Sequence, residues 1–318
     1  MQPDITWRNW LMVAALGLIW GSSFMVVEVA LTGISPFWLA ASRVTFGTLL
    51  TVLVWMISGR RFFLTEKTAW PSIVAIGVLS SALPFSLLSW GQTHVTSGFA
   101  GVSMASIALL VLPLSHFFVP GEQMTLRRTI GFLIGFGGVA LLIGPEALAP
   151  SGSEMELWGR VFCVLAASCY AISSVIIRRL PPIDPLGLAA IPLIIGAITS
   201  LCFALTVEGP PPAISTETLW IILYLGLVPT AGANLLRILT IRSAGPVFMS
   251  LTNYQVPLWS VILGIVILEE APRQNLFLAM TLILIGLCLS QYGALKRLFR
   301  EYDGPILEIE NLSISFFT

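Results

Sequence analysis

The sequence predicts an all-α membrane protein whose ten transmembrane helices form two inverted five-helix repeats. Hydrophobic residues make up 56% of the 318 residues and charged residues only 10%, whereas a soluble domain carries about a quarter charged residues. Apolar stretches of about 20 residues, long enough to cross the hydrocarbon core as helices, recur along the whole chain. A pattern of five such stretches then occurs a second time.

The ten predicted spans are separated by short connections that are rich in glycine and proline. They cover residues 9–31, 36–57, 69–90, 98–119, 129–147, 157–177, 184–206, 217–239, 246–268 and 275–295. Turn-forming stretches such as 32–36, 181–185 and 208–212 mark their ends. None of the connections is long enough to hold a soluble domain.

An internal repeat relates the two halves of the chain. Segment 34–41 (ISPFWLAA) recurs 149 positions later as segment 183–190 (IDPLGLAA), and at the same offset Gly47 matches Gly196. Because five is an odd number, the second copy must enter the membrane from the opposite side. Inverted repeats of this kind are typical of transporters that alternate access around a site at the bilayer midplane.

The repeat also divides the chain into domains. Residues 1–148 form the first five-helix copy and residues 149–300 the second. Residues 301–318 are predicted to be a cytoplasmic tail outside the pattern; within it, residues 306–316 alternate like a strand and resemble the first strand of an ABC-type ATPase domain. That segment is too short to form the domain, so we interpret the tail as a remnant that is not native to the fold.

The basic residues predict the orientation of the chain. With the N-terminus in the cytoplasm, thirteen lysines and arginines lie at the inner side, two (Arg160 and Arg273) at the outer side, and Arg43 within a span. This asymmetry is the one that cytoplasmic loops have in membrane proteins, and it predicts that both termini are cytoplasmic.

Other classes of protein fit the sequence poorly. The net charge is zero, which argues against nucleic acid as a partner. The four cysteines lie in apolar segments without metal-ligand spacing, and no zinc-protease, serine-hydrolase or P-loop motif is present. We therefore expect no enzyme, no cofactor and no metal; an intramembrane enzyme is a remote alternative. The expected partners are a small-molecule substrate and the lipid bilayer, and the expected state is a monomer or weak homodimer.

Several short motifs carry a resemblance to a known family. Segment 20–24 (WGSSF), Pro36 followed by Arg43, segment 121–125 (GEQMT) and Pro257 stand in register with the two halves. Together, over about 290 residues, they resemble the EamA type of the drug/metabolite transporter superfamily. The stretches at 91–98 and 116–122 are similar to a bacterial subset of it.

The resemblance implies an alternating-access transporter that exports small metabolites through a central cavity of ten helices. Among the family's members, bacterial exporters of aromatic amino acids are the most similar, so we expect export of aromatic or neutral amino acids across the inner membrane. Another small metabolite, a cationic drug or a lipid carrier remains an alternative substrate.

Polar groups at membrane depth are the candidates for the substrate site, because they are costly there unless they are paired or face water. Asn253, Tyr254 and Gln255 are the strongest, because three consecutive polar residues just before Pro257 cannot all lie on one packed face. For single serines, helix–helix packing is the alternative reading. The predicted substrate-binding residues are Trp20, Ser23, Arg43, Ser80, Pro84, Met104, Tyr170, Asn234, Asn253, Tyr254 and Gln255.

Two charged residues, Arg43 and Glu28, lie well inside predicted spans. Arg43 either holds a substrate carboxylate or forms a gate with Glu28; a structural arginine that bonds helix-end carbonyls is the alternative. Pro257 is the third predicted gating residue. Acidic residues are absent at the midplane, which favours facilitated diffusion or a coupling confined to Glu28. The repeat mate of Arg43 is Pro192, so we expect a symmetric scaffold around an asymmetric site.

Overall fold

The computed structural model describes residues 6–59, 69–120, 123–143, 154–181, 183–249, 251–271 and 274–302, and the regular elements in these ranges are helical. The helices are α1 (Trp7–Ala30), α2 (Pro36–Ile57), α3 (Trp70–Gly77), α4 (Leu83–Gly91), α5 (Ser97–Phe118), α6 (Leu126–Ile143), α7 (Glu154–Arg179), α8 (Pro185–Val207), α9 (Thr216–Leu225), α10 (Ala233–Met249), α11 (Thr252–Ile267) and α12 (Gln274–Tyr302). Two π turns, Val78–Ala82 and Gly226–Gly232, join α3 to α4 and α9 to α10.

The prediction of an all-helical membrane protein is confirmed. Eight helical stretches in the described part are long and apolar enough to cross a membrane, and α11 is a shorter apolar helix. Two of the eight, Trp70–Gly91 and Thr216–Ile241, each run through a π turn. The fifth predicted span corresponds to α6, which has 18 residues. The complete ten-span inverted repeat remains a prediction.

The ninth span differs from its prediction. One helix over 246–268 was expected, but α10 continues through the expected turn to Met249 and α11 begins at Thr252. Packing against α1 stabilises the end of α10: Asn9 donates to Ser243 Oγ at 2.6 Å, and the fully buried Phe248 meets Trp10 edge to face at 4.8 Å. Pro246, within α10, has no N–H and so removes one helix hydrogen bond. The contacts with α1 offset that loss.

The first helices of the two halves run in opposite directions. Gly91 at the end of α4 packs against Cys163 near the start of α7, while Phe85, earlier in α4, meets Tyr170, later in α7, so the two helices are antiparallel. The glutamine that follows α4 donates to the carbonyl of Phe24 near the end of α1, so α1 and α4 end at the same face. The opposition of α1 and α7 is what an inverted repeat requires.

Glycines allow the two halves to approach closely at matched positions. A Cβ at Gly47 would lie 2.6 Å from Thr230 Cγ2, and the repeat mate Gly196 faces Ser81 in the same way. In both places a small residue on one half makes room for a hydroxyl side chain of the other. The symmetry ends one turn away, because Arg43 on α2 corresponds to Pro192 on α8.

The membrane protein has two ends, which we name by their residues. The carboxylate face carries Glu28, Glu208 and Glu270, and the opposite face carries Thr6 and Arg178. At the carboxylate face Glu208 caps α2: its carboxylate accepts hydrogen bonds from Ser35 Oγ at 2.6 Å and from the first backbone amides of the helix at 3.0 and 3.2 Å.

We expect Glu208→Ala to lower the free energy of unfolding by about 1–2 kcal/mol, because the change removes the carboxylate that accepts three hydrogen bonds at the start of α2. Thermal unfolding in detergent measures the loss. Glu217→Ala is the control, since Glu217 is exposed and makes no such bonds to another helix. Equal stability of the two variants would contradict the capping role.

Candidate functional site

Arg43 is the central charged group of the structure. It is 8% exposed, its Nε donates to Thr230 Oγ1 at 2.9 Å, and its guanidinium lies over the ring of Phe85 at 4.3 Å from the centroid. An arginine at the middle of a transmembrane helix costs about 2.5–3.5 kcal/mol on insertion scales. The hydroxyl and the aromatic face offset part of that cost.

The partner of Arg43 is held by the π turn. Pro229 has no N–H, so the carbonyl of Leu225 lacks its usual helix donor, and Thr230 Oγ1 donates to it at 2.8 Å instead. The threonine oxygen is thereby turned towards the arginine. On the other side of the turn, Trp20 Nε1 donates to the carbonyl of Pro229 at 3.1 Å. Local chemistry around one proline therefore orients the guanidinium.

The two terminal nitrogens of Arg43 keep some accessible surface. They have no hydrogen-bond partner among the described residues, yet they are not among the fully buried unpartnered atoms. Tyr170, whose ring meets Phe85 at 6.4 Å edge to face, has a hydroxyl that makes no hydrogen bond within the described residues. These side chains come from α2, α4, α7 and the second π turn, and together we call them the pocket of Arg43. They offer the terminal N–H donors of a guanidinium beside aromatic surfaces.

Other predicted site residues have side chains that are accessible at membrane depth. Ser80 and Asn234 are half-buried and make no side-chain hydrogen bond within the described residues. Asn253 is exposed, although it lies on the same helix face as the buried Val256 and Pro257. Its carbonyl also lacks a helix donor, because Pro257 has no N–H.

The remaining predicted residues serve helix packing. They are Ser23, which donates to the carbonyl of Trp20; Pro84, which is buried in the first turn of α4; Met104, which is in the apolar core; Tyr254, whose hydroxyl lies beside Cys288 of α12; and Gln255, which lies against Gly17 of α1. The consecutive cluster 253–255 is therefore divided, with Asn253 exposed and the other two residues against neighbouring helices.

The structure does not bring Glu28 and Arg43 together as the predicted gate. Glu28 Oε2 accepts a hydrogen bond from the backbone N–H of Ser97 at 2.9 Å, at the start of α5. Depth along the helices allowed the pair, but α1 turns Glu28 towards α5, and α2 turns Arg43 towards the π turn.

A second glutamate meets the same helix end. Glu270 Oε1 accepts from the N–H of Ser97 at 2.9 Å and from the hydroxyl of Ser97, and its Oε2 accepts from the N–H of Gly98 at 3.2 Å. Glu269 has a left-handed backbone (φ 54°), which turns the chain after α11 so that Glu270 reaches α5. Sequence reasoning missed this contact; its only signal was that Glu270 recurs as Glu122 in the other half.

A cavity of 420 Å³ opens beside Glu28 at the carboxylate face. Its polar lining includes Gln92, His94, Glu156 and Arg160, and its apolar lining includes Phe99 and Leu276. This cavity is separate from the pocket of Arg43, because it lies at the helix ends rather than at mid-depth.

Comparison with known proteins identifies the chain. The model of the EamA-like transporter family matches residues 8–144 and 157–292, one match to each half. The chain belongs to the EamA-like transporter family. The two matches coincide with the halves that the internal repeat defines, so the predicted superfamily is confirmed.

Its relatives extend from bacteria to plants. The uncharacterized transporter YoaV of Bacillus subtilis is 24% identical over 90% of this chain and 97% of its own length. The uncharacterized inner membrane transporter YedA of Escherichia coli is 24% identical over 92% of this chain and 94% of its own length. A chloroplastic WAT1-related protein of Arabidopsis thaliana is 25% identical over 89% of this chain and 69% of its own length. One crystal structure has the same fold, with a TM-score of 0.62 at 19% identity over 90% of this chain and 98% of its own.

Membership in this family, together with the membrane-spanning helices, supports a multi-pass inner-membrane protein that transports a small molecule. The family points to transporters rather than enzymes.

Proposed function

We propose that this EamA-like transporter exports amino acids with aromatic or neutral side chains by alternating access. The observation that carries the proposal is the pair of unpartnered terminal nitrogens of Arg43 beside Phe85 and Tyr170. A guanidinium is suited to bidentate binding of a carboxylate, and the two rings offer an apolar surface to the substrate side chain. A cation at the site disfavours cationic drugs as the main substrates.

We further propose that the carboxylate face is outside and that both termini are cytoplasmic. The distribution of arginines supports this orientation, since Arg178 and Arg179 end α7 at the opposite face.

The proposed state of the structure is open towards the cytoplasm. At the carboxylate face α1 and α5 pack together and Glu28 reaches the first turn of α5. At the opposite face the repeat mates α7 and α11 do not pack to a comparable extent in the described residues. The exposure of Asn253 supports a gap on that side.

Counterflow into proteoliposomes tests the proposed substrate class. Vesicles loaded with unlabelled tryptophan or leucine should transiently accumulate the same amino acid, labelled, from the outside. Vesicles loaded with an unlabelled lipid head group or a cationic dye should not accumulate the labelled form of that compound. Accumulation of lipid head groups without amino-acid exchange would instead indicate a flippase. Absence of exchange for every amino acid would refute the proposal.

Two neighbouring variants separate the cavity side of α11 from its packed side. We expect Asn253→Ala to slow amino-acid exchange by about three- to tenfold, since one hydrogen bond contributes about 0.5–1.5 kcal/mol. Tyr254→Phe should leave exchange unchanged, because its hydroxyl lies beside Cys288 instead. The reverse order of effects in the same vesicle assay would place the substrate on the other side of the helix.

A further inference from the structure

Glu28 and Glu270 come together on one backbone donor. The N–H of Ser97 lies 2.9 Å from Glu28 Oε2 and 2.9 Å from Glu270 Oε1, so one donor holds the two carboxyl groups side by side. A carboxylate is only an acceptor, so a hydrogen bond between two carboxyl groups requires that one of them carry a proton. Two ionised carboxylates that share one donor would repel each other, and a proton between them removes that repulsion.

This contact joins three helix ends from both halves. Glu28 belongs to α1, Ser97 begins α5, and Glu270 follows α11. Gly264 provides the space for the second carboxylate, since a Cβ at that position would lie 2.5 Å from Glu270 Oε2. The pair therefore lies where the carboxylate face is closed.

The charged groups around the pair do not replace the proton. Arg160 of α7 and His94, before α5, line the neighbouring cavity together with Glu28. Arg160 is already paired with Glu156 at 2.7 Å. Glu269, which precedes Glu270, adds negative charge on the same segment. Glu156 of α7 thus lines the cavity beside Glu28, Glu269 precedes Glu270 in the chain, and the nearby Arg160 has a carboxylate of its own.

A separate observation points to a proton donor entering from the cavity. Gln92 is 5% exposed and lines the cavity with Glu28, and its Nε2 is fixed by the carbonyl of Phe24 at 2.8 Å. Its Oε1 is buried and has no hydrogen-bond partner in the described residues. A buried acceptor without a donor is costly, so this oxygen suits a water or hydronium on the way to the carboxyl pair.

We propose that Glu28 and Glu270 together form a site for one proton taken up from the carboxylate face, and that this proton holds the outer gate closed. When the proton leaves to water in the cavity, the two carboxylates repel each other and the end of α1 separates from α5 and α11. The location of this gate at the outer side of the membrane rests on the proposed function. The proton site and the closure do not depend on which substrate is transported.

Glu208 supplies a matched control within the same chain. It also caps a helix at the carboxylate face through three hydrogen bonds, but the structure shows no second carboxylate on its donors among the described residues. Replacement of Glu208 by glutamine thus tests capping alone, whereas the same change at Glu28 or Glu270 removes the shared proton site.

The test measures the distance between the helix ends in the full-length protein. Spin labels are placed at the exposed Thr32 and Thr93, in a background where the exposed Cys202 and Cys288 are serine. Double electron–electron resonance in liposomes without substrate should give a short distance at low pH and a longer one at high pH. Because one proton is linked to closure, the ratio of the two populations should change about tenfold per pH unit through the transition.

The variants decide between the proton site and ordinary packing. Glu28→Gln and Glu270→Gln should each abolish the pH dependence, Glu208→Gln should keep it, and Glu28→Asp, which retains the carboxyl group, should also keep it. A parent protein without pH dependence, or an unchanged transition in Glu28→Gln, would overturn the proposal. A response to replacing potassium by sodium at constant pH would overturn it too, since the bound cation would then be a metal ion. The distance measurement contains no substrate, so its outcome does not depend on whether the protein transports amino acids.

Discussion

Replacing Arg43 by glutamine is expected to lower amino-acid transport by about tenfold to a hundredfold, mainly through a higher KM. A hydrogen bond to a charged group contributes about 1.5–3 kcal/mol, and the change removes the fork that would hold the substrate carboxylate. Glutamine retains one donor for Thr230, so the π turn should keep its shape. Initial rates in proteoliposomes over a range of substrate concentrations measure the effect.

Two comparisons make the Arg43 result specific. Arg179→Gln removes the same charge from the end of α7, where the arginine is exposed, so its transport should match the parent protein. An amino-acid amide, which lacks the carboxylate, should compete equally weakly with transport by the parent and by Arg43→Gln. An equal loss in both arginine variants would indicate that total charge, not the pocket, sets the rate.

Replacing Gly131 by leucine is expected to produce a large loss of stability. A Cβ at Gly131 would lie 2.6 Å from the carbonyl oxygen of Gly286 and 2.7 Å from the N–H of Ser290. These are backbone atoms of α12 that cannot move aside without separating the two helices. Overpacking costs about 1–3 kcal/mol where the neighbours can shift, and we expect at least that here, as a lower midpoint of thermal unfolding in detergent.

Gly137 provides the control on the same helix. A Cβ at Gly137 would have no atom within 4 Å, so Gly137→Leu should leave the unfolding midpoint close to that of the parent. Both substitutions add the same side chain to α6 and remove the same glycine flexibility. If Gly137→Leu were as destabilising as Gly131→Leu, helix propensity or lipid contact rather than the α6–α12 approach would explain the loss.

The helical framework was predictable from the sequence because bilayer thickness imposes a length on each apolar stretch. The break between Met249 and Thr252 was not predictable in this way. It depends on the packing of Phe248 and Ser243 against α1, more than 230 residues earlier in the chain. The glycine and proline at positions 245 and 246 favour a turn at that point, but α10 continues past them to Met249.

The site was predictable in part. Depth along α2 identified Arg43, because a charge at mid-membrane needs an explanation. Phe85 carried no signal, since one more phenylalanine in an apolar segment is unremarkable, and its role follows only from where α4 places its ring. Depth also suggested that Arg43 and Glu28 would meet, but helix rotation, which depth cannot supply, points them to different partners.

The most extensive helix pairings in the described structure, α6 with α12, α2 with α8, α1 with α11 and α5 with α7, each join one half of the chain to the other. During synthesis the helices of the first half, α1 to α6, therefore leave the ribosome before their main partners in the second half exist. We expect the nascent first half to remain an open, lipid-solvated array whose order is imposed late, as each helix of the second half arrives. Co-expression of residues 1–148 and 149–318 as separate chains should accordingly restore a functional protein that neither fragment forms alone.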